Sequence, residues 1–449
     1  MKPATPNLKG ALDTALAAAK RLAPTAAAFV RLESRRDANL RFARSEVTSS
    51  GDVDETTLSV DITVGKRHAS SDTNQLDPAS VEATVSRAIG LAQVAPEDPE
   101  VMPPLGPQRY EKAAPAFDAS TASVDAATRA KMAREGMALK QGEDLLLAGF
   151  LEHFASRELL GTSAGLKADY QHTGATLSVT ARTADGTGSG WAANISHRIG
   201  DMDHVKVGSV ARDKALKSAK PTKLEPGRYT VVLEPAAVAE LLIFMLFSMD
   251  ARAADEGRSF FAKPGGGNRI GEQIFGPHVT LSSPVGDPLL PVAPFGQDGL
   301  AISPMTWIDK GTVKALAYSR YWAQKQGKTP TGIPRGVLLA GGTATTEELF
   351  KGVKKGVLIT RFWYSRPLDP QTLLATGLTR DGVFLIEDGA VTRPVNNFRW
   401  NESPIQMLKN ADAMTKETFR AAGPGGFVTI RVPALRTNEF NLASVSDAV

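Results

Sequence analysis

Gly161-Thr162-Ser163-Ala164-Gly165 has the G-x-S-x-G spacing that, at a sharp strand-to-helix turn, exposes a serine hydroxyl for nucleophilic attack. That chemistry needs a buried strand before the serine and a helix after it. Here the strand-like Leu166–Tyr170 and the alternating Ala175–Arg182 follow, so the segment reads as a glycine-flanked β-turn. Metal chemistry is the next candidate. The six histidines (His68, His153, His172, His197, His204 and His278) include no H-E-x-x-H and no close pair on one helical face. His197 and His204, with Asp201 and Asp203 nearby, form the one cluster in sequence. Zinc or calcium binding is one reading of it; a solvated loop in which Asp203 caps the next helix is the simpler one. Glu152-His153 falls in an alternating strand and reads as a surface pair. Gly265-Gly266-Gly267 follows Lys263 but lacks the Walker spacing and a directly following helix, so a mobile loop fits better than a phosphate cradle. Arg361-Phe362-Trp363-Tyr364-Ser365-Arg366 has the composition to stack on bases, yet no basic field accompanies it. An aromatic strand edge or protein interface is the better reading.

The elements that would position these residues follow from periodicity. Leu8, Leu12, Leu16 and Ala19 fall at helical spacing. Ala28–Leu32 is a short apolar strand, and Leu58, Val60, Ile62 and Val64 alternate as a half-buried strand does. Asp77-Pro78 supplies an N-cap and first-turn proline for a helix facing inward through Val81, Val85, Ile89 and Ala92. This gives an α–β–β–α domain over residues 1–95. The proline-rich Ala95–Pro115 is a linker into a middle α+β domain (96–222), with a helix over Val124–Lys140 closed near Gly142 and another over Val205–Ala219. Residues 223–449 form a largely antiparallel, β-rich domain. Asp309-Lys310-Gly311, Asp381-Gly382 and Asp388-Gly389 each read as tight turns, the last two making Leu374–Val395 a meander. Thr345 with Glu348 forms a capping box, and Ser403-Pro404 begins a helix with Ile405 and Leu408 inward. The fold class is α+β.

Within the last domain Ala236–Met249, AAVAELLIFMLFSM, carries a single charge, Glu240. A helix apolar on nearly every face is buried. Its 14 positions fall short of the roughly 20 residues needed to cross a bilayer. The N-terminus lacks a signal-type apolar core, because Ala15–Ala19 is the longest uncharged apolar run there. The chain is read as cytoplasmic, with no membrane partner. Its 449 residues are 42% hydrophobic and 22% charged, which places it among folded globular proteins of two or three domains. The net charge of +4 arises from 52 basic and 48 acidic residues without a basic block, which argues against nucleic acid. Zero cysteines exclude disulfides, thiolate nucleophiles and cysteine-ligated metal.

Several segments together are similar to the TldD/PmbA family, described as metalloproteases and as modulators of DNA gyrase. They are Arg41–Thr73, Leu224–Leu242, Phe295–Gly327 and Thr376–Leu408, in the family's order and spacing. The resemblance implies that active, TldD-like members carry H-E-x-x-x-H on the helix after the strand that Val231-Val232-Leu233 represents, plus a distant cysteine. Here that motif falls on Ile243-Phe244-Met245-Leu246-Phe247-Ser248, which holds neither histidine nor the glutamate. Zinc needs about three protein ligands, and hydrolysis needs a base for the bound water; apolar side chains supply neither.

The resemblance therefore implies a TldE (PmbA)-like, non-catalytic subunit without a cofactor of its own. Its partner is a TldD-like subunit carrying zinc, and its substrate an extended or unfolded peptide. A homodimer is left open. Two rival readings stand beside this one. The first is a divergent hydrolase using metal at His197 and His204 or Ser163 as nucleophile; the second is a peptide-binding scaffold that meets no protease. For a substrate or partner surface the candidates are Asp298, in the FGQDG turn, and Arg361, Trp363 and Arg366. Each also has an ordinary structural reading: turn former, surface charge, or core aromatic.

Overall fold

The computed structural model describes residues 7–138, 143–333, 335–422 and 429–446. The first half contains α1 (Leu8–Leu22), β1 (Ala27–Ala43), β2 (Glu46–Val64), β3 (Arg67–Thr73), α2 (Pro78–Val94), α3 (Ala119–Ala122), α4 (Ala126–Gly136), β4 (Leu145–Thr162), β5 (Lys167–Thr183), β6 (Ser189–Ser196) and α5 (His204–Ser218). The strands form one antiparallel sheet in the order β3-β2-β1-β4-β5-β6. β1 pairs with β4 from Phe29 to Phe42, so this sheet runs across residue 95. It is long because β1 and β2 continue well past the apolar alternation at Ala28–Leu32 and Leu58–Val64. In these extensions Ala38, Leu40 and Phe42 of β1 are buried, whereas Glu46–Ser50 of β2 is exposed.

Helices cover the sheet where its alternation is apolar. α1 and α2 pack on Val30, Leu32, Leu58, Val60 and Ile62. α2 begins at Asp77, whose carboxylate accepts from the Ser80 N–H at 3.0 Å, and Val81, Val85, Ile89 and Ala92 are buried as the spacing predicts. α4 and α5 pack on Leu147, Leu177 and Val179. The helix expected over Val124–Lys140 starts at the Asp125 cap and runs to Gly136; Lys140 and Gly142 lie outside the described residues. The segment 95–117 has no regular secondary structure, but it is tied down. Glu100 takes a two-pronged ion pair from Arg252, and the Tyr110 hydroxyl donates to the Gly299 carbonyl at 2.9 Å.

The second half contains β7 (Gly227–Leu233), α6 (Pro235–Ser248), α7 (Ala251–Asp255), β8 (Leu281–Ser283), β9 (Met305–Asp309), β10 (Thr312–Val313), α8 (Arg320–Gln326), β11 (Gly336–Leu339), β12 (Lys355–Asp369), β13 (Leu374–Glu387), β14 (Ala390–Pro394), β15 (Asn397–Glu402), α9 (Pro404–Lys409), β16 (Ala411–Met414), β17 (Phe419–Ala422), β18 (Thr429–Val432) and β19 (Leu435–Ser446). β12, β7, β19, β15 and β13 pair in that order, and β13 pairs back onto β12, closing a five-stranded barrel. Phe362, Trp400 and Phe440 meet inside it, with ring centroids 4.7 and 5.8 Å from Phe362. A mixed sheet, β10-β9-β8-β11-β18-β17, lies beside the barrel, and α6 is buried among the second half's apolar core.

Local chemistry explains the turns. Lys310 and Gly311 turn β9 into β10 with positive φ, as do Asp388 and Gly389 between β13 and β14. Asp381-Gly382 does not turn the chain. Both have positive φ, but they sit within β13, where its register against β12 slips between Ile359 and Arg361. This is a bulge, which bends a strand without ending it. The Thr345–Glu348 box forms reciprocally, at 2.9 and 3.3 Å, yet caps only a single 3₁₀ turn, Glu347–Leu349.

Candidate functional site

α6 is built as its composition demands. Pro235 occupies the first turn, and Ala237–Ala239, Leu241–Ile243, Met245 and Leu246 are buried. Beyond Pro235 itself, the less buried positions are Ala236, Glu240, Phe244, Phe247 and Ser248. They recur every three or four residues and so form one stripe. This stripe carries the helix's single charge. Ser365 donates its hydroxyl to Glu240 Oε1 at 2.7 Å, and burial pushes the Glu240 carboxyl above its ordinary range despite that bond and the nearby Arg361.

Ser365 and Arg361 belong to β12. Its first half pairs with β7 on one side and β13 on the other, but the pairing to β7 ends at Ile359. Beyond that, the aromatic-basic segment pairs with β13 alone among the described strands. Phe362 points into the barrel, Trp363 is half-exposed and Tyr364 is exposed. Tyr364 has φ of 57° where β12 slips register between Trp363 and Arg366, an uncommon backbone for an aromatic residue.

Arg361 is the hub. It pairs with Asp381 at 3.2 Å, with side chains 15% and 2% exposed, so the pair is nearly dry. The guanidinium lies 4.3 Å from the ring of Trp191 and 5.0 Å from that of Trp363. Asp381 also accepts from the Ser189 hydroxyl of β6. Burial pulls the Arg361 pKa down and the Asp381 charge opposes that pull. The bulge at Asp381-Gly382 thus aims a carboxylate out of the barrel at the first sheet. A parallel bridge is made by Lys214 of α5, which donates to Glu234, immediately before α6, at 2.6 Å.

Of the residues named from sequence, Arg361 and Trp363 come together here, and Arg366 lies 5.4 Å from the Tyr364 ring. Asp298 sits in another crevice, of about 360 Å³, with Arg31, Leu105 and Arg320. There its carboxylate accepts from the Leu300 N–H at 3.1 Å, as a turn former does. Sequence reasoning missed Asp381 and Ser189. The Asp381-Gly382 pair reads as a turn in sequence, and nothing in sequence places β6 against β13.

The rival sites do not assemble. Ser163 Oγ accepts from the Ala28 N–H at 3.0 Å, and its own N–H bonds Ala28 O at 2.9 Å, locking the hairpin between β4 and β5. His204 pairs with Glu135, while Asp203 caps α5 through the Lys206 N–H at 2.9 Å. His153 corrects the surface-pair expectation: it is 2% exposed and contacts Arg129 at 3.3 Å, because β4 faces α3 and α4 there. The three-glycine segment forms a hydrogen-bonded turn, Lys263 N–H to Gly267 O at 2.9 Å. Among the described residues no three His, Cys, Asp or Glu side chains converge as metal ligands. The α6 stripe offers one carboxylate, already bonded to Ser365, which does not fit a zinc site. No helix among the described residues is long and apolar enough to cross a membrane.

The fold and this junction define an α+β protein whose helix after β7 is packed with hydrocarbon. Family comparison agrees in class. The profile for the PmbA/TldA metallopeptidase C-terminal domain matches residues 226–444, and that for domain 1 of the same metallopeptidases matches residues 28–92. The chain belongs to the PmbA/TldD family. Its fold is shared with a protein titled a modulator of a DNA gyrase from Thermotoga maritima (16% identity, 96% of this chain and 99% of the other, TM-score 0.85). It is shared also with a protein similarly titled from Bacteroides thetaiotaomicron (21%, 98% and 100%, 0.84) and with TldE from Thermococcus kodakarensis (15%, 97% and 100%, 0.85). No curated protein matches the chain.

Proposed function

We propose that this chain is the non-catalytic subunit of a TldD-type peptidase, acting on extended peptides whose bond is cleaved at a zinc site in its partner. The observation that carries this reading is α6. It stands directly after β7, where the family resemblance puts the metal-binding helix; Ile243 and Ser248 fall at the two histidine positions and Phe244 at that of the glutamate. Isoleucine, phenylalanine and serine at those positions supply neither the imidazoles to hold zinc nor a carboxylate to activate water. The half-exposed Trp363, exposed Tyr364 and Phe247, and the cationic Arg366 offer the aromatic and arginine composition enriched at protein interfaces. β12 beyond Ile359 pairs on one side only, an arrangement that supports peptide capture by strand addition.

The test is peptide cleavage by a purified TldD-like partner with and without this chain. Cleavage of an unfolded peptide should rise at least about tenfold on mixing, and co-elution of the two chains should accompany it. Equal cleavage with and without the chain, or no co-elution, overturns the proposal.

A further inference from the structure

A second polar cavity, of about 540 Å³, shares no lining residue with the Arg361 junction. It is lined by Asn401 and Glu402 at the end of β15, Gln406 on α9, Asn410 at that helix's C-cap, Arg228 on β7 and Asn441 on β19. Three of its carboxamides, those of Asn401, Gln406 and Asn441, make no hydrogen bond with any described residue. Glu402 is 6% exposed, and each of its carboxylate oxygens takes one backbone N–H, from Ser403 at 2.8 Å and from Asn441 at 3.2 Å. Arg228 uses one nitrogen on the Glu439 carbonyl at 2.9 Å, leaving other donors of its fork for a ligand.

The chemistry of this lining narrows the ligand. Leu374 is its one large apolar residue, so an apolar guest would bury unpaired amides at a net cost. A simple anion meets Glu402, and a simple cation meets Arg228. A molecule with a positive group at one end, a negative group at the other and amide donors and acceptors between them satisfies all. No aromatic face lines the cavity to stack on a sugar ring, which favours peptide over carbohydrate. The volume lies within the range of small-ligand pockets.

We infer that this cavity is a binding site for short zwitterionic peptides. The carboxamides pair with the main chain, Arg228 takes the terminal carboxylate and Glu402 the terminal ammonium. Unlike the subunit role proposed above, this stands on the cavity alone and needs no protease partner. Its loss would leave that role untouched.

The test is isothermal titration of the full-length chain with tri-alanine, N-acetyl-tri-alanine amide and maltotriose. Saturable binding of tri-alanine is expected, weakened about tenfold or more by blocking both ends. Gln406→Leu, on the exposed side of α9, should weaken tri-alanine by a similar factor, with an unchanged unfolding midpoint. Arg228→Gln should make the chain indifferent to amidation of the peptide's C-terminus. No saturable binding at millimolar peptide, equal binding of the blocked peptide, or preference for maltotriose overturns the assignment.

Discussion

Asp381→Ala is the sharpest perturbation of the junction between the first sheet and the barrel. Two charges 3.2 Å apart attract by about 5 kcal/mol at an effective dielectric constant of about 20, before the cost of drying them is subtracted. Removing Asp381 leaves Arg361 nearly dry between Trp191 and Trp363 with the charge of Glu240 as its remaining counterpart, and frees the Ser189 hydroxyl as well. The expected destabilisation is about 3–5 kcal/mol. Arg361→Met keeps an apolar stem against Trp191, and Asp381 retains Ser189 and Arg380, 3.9 Å away, so this variant should lose less. The double variant should then be about 2 kcal/mol more stable than the sum of the singles predicts. Urea unfolding followed by tryptophan fluorescence reads this directly, because two of the five tryptophans flank Arg361. A double-mutant coupling below about 0.5 kcal/mol would refute the reasoning, since independent surface sites behave that way.

Acid should find a different weak point at His172, which lies between the rings of Phe154 and Tyr170 at 5.3 and 5.4 Å. Burial, and then the charge of Arg35, pulls its pKa down to about 4. A folded-state value below the unfolded one means stability that is present above pH 6.5 and lost as pH falls through about 4. The gap corresponds to about 3 kcal/mol. His172→Phe should flatten the fall in unfolding midpoint between pH 7 and pH 4; an unchanged slope sinks the idea. Glu240 has the opposite sign, because burial raises its pKa, so its contribution is present at low pH and lost as pH rises past the carboxylate range. Glu240→Gln keeps an acceptor for Ser365 and should match or exceed the parent's thermal midpoint at pH 8. A clear drop there would show that the charge itself is needed.

The legible parts of the fold are those where one short segment decides its own structure. Asp77-Pro78, Ser403-Pro404 and the Thr345–Glu348 box are local devices, and each forms its hydrogen bonds as read. Lys310-Gly311 and Asp388-Gly389 have the positive φ of tight turns for the same reason. Asp381-Gly382 carries the same local signal, yet tertiary pairing overrides it. β12 continues past Gly382 on the far side, so the strained pair becomes a bulge instead of a hairpin. The candidate site was half legible on similar grounds. Arg361 and Trp363 announce themselves by composition, whereas Asp381 and Ser189 matter only because β6 and β13 meet, nearly two hundred residues apart in sequence.

That meeting changes what the apolar helix means. If α6 were simply a core element, its whole circumference would be free to become hydrocarbon, and the most stable choice at position 240 would be another leucine. Instead one stripe keeps a carboxylate whose ionised form burial disfavours, bonded to Ser365 on the aromatic-basic part of β12 and close to Arg361. Arg361 in turn spans to Asp381, and Asp381 to Ser189 in the first sheet. The chain of contacts therefore runs from the helix, through the barrel, into the other half of the molecule. Packing explains the buried side of α6. Its open stripe is explained by the need to hold β12 and β6 in one fixed relation, presenting Trp363 and Tyr364 outward.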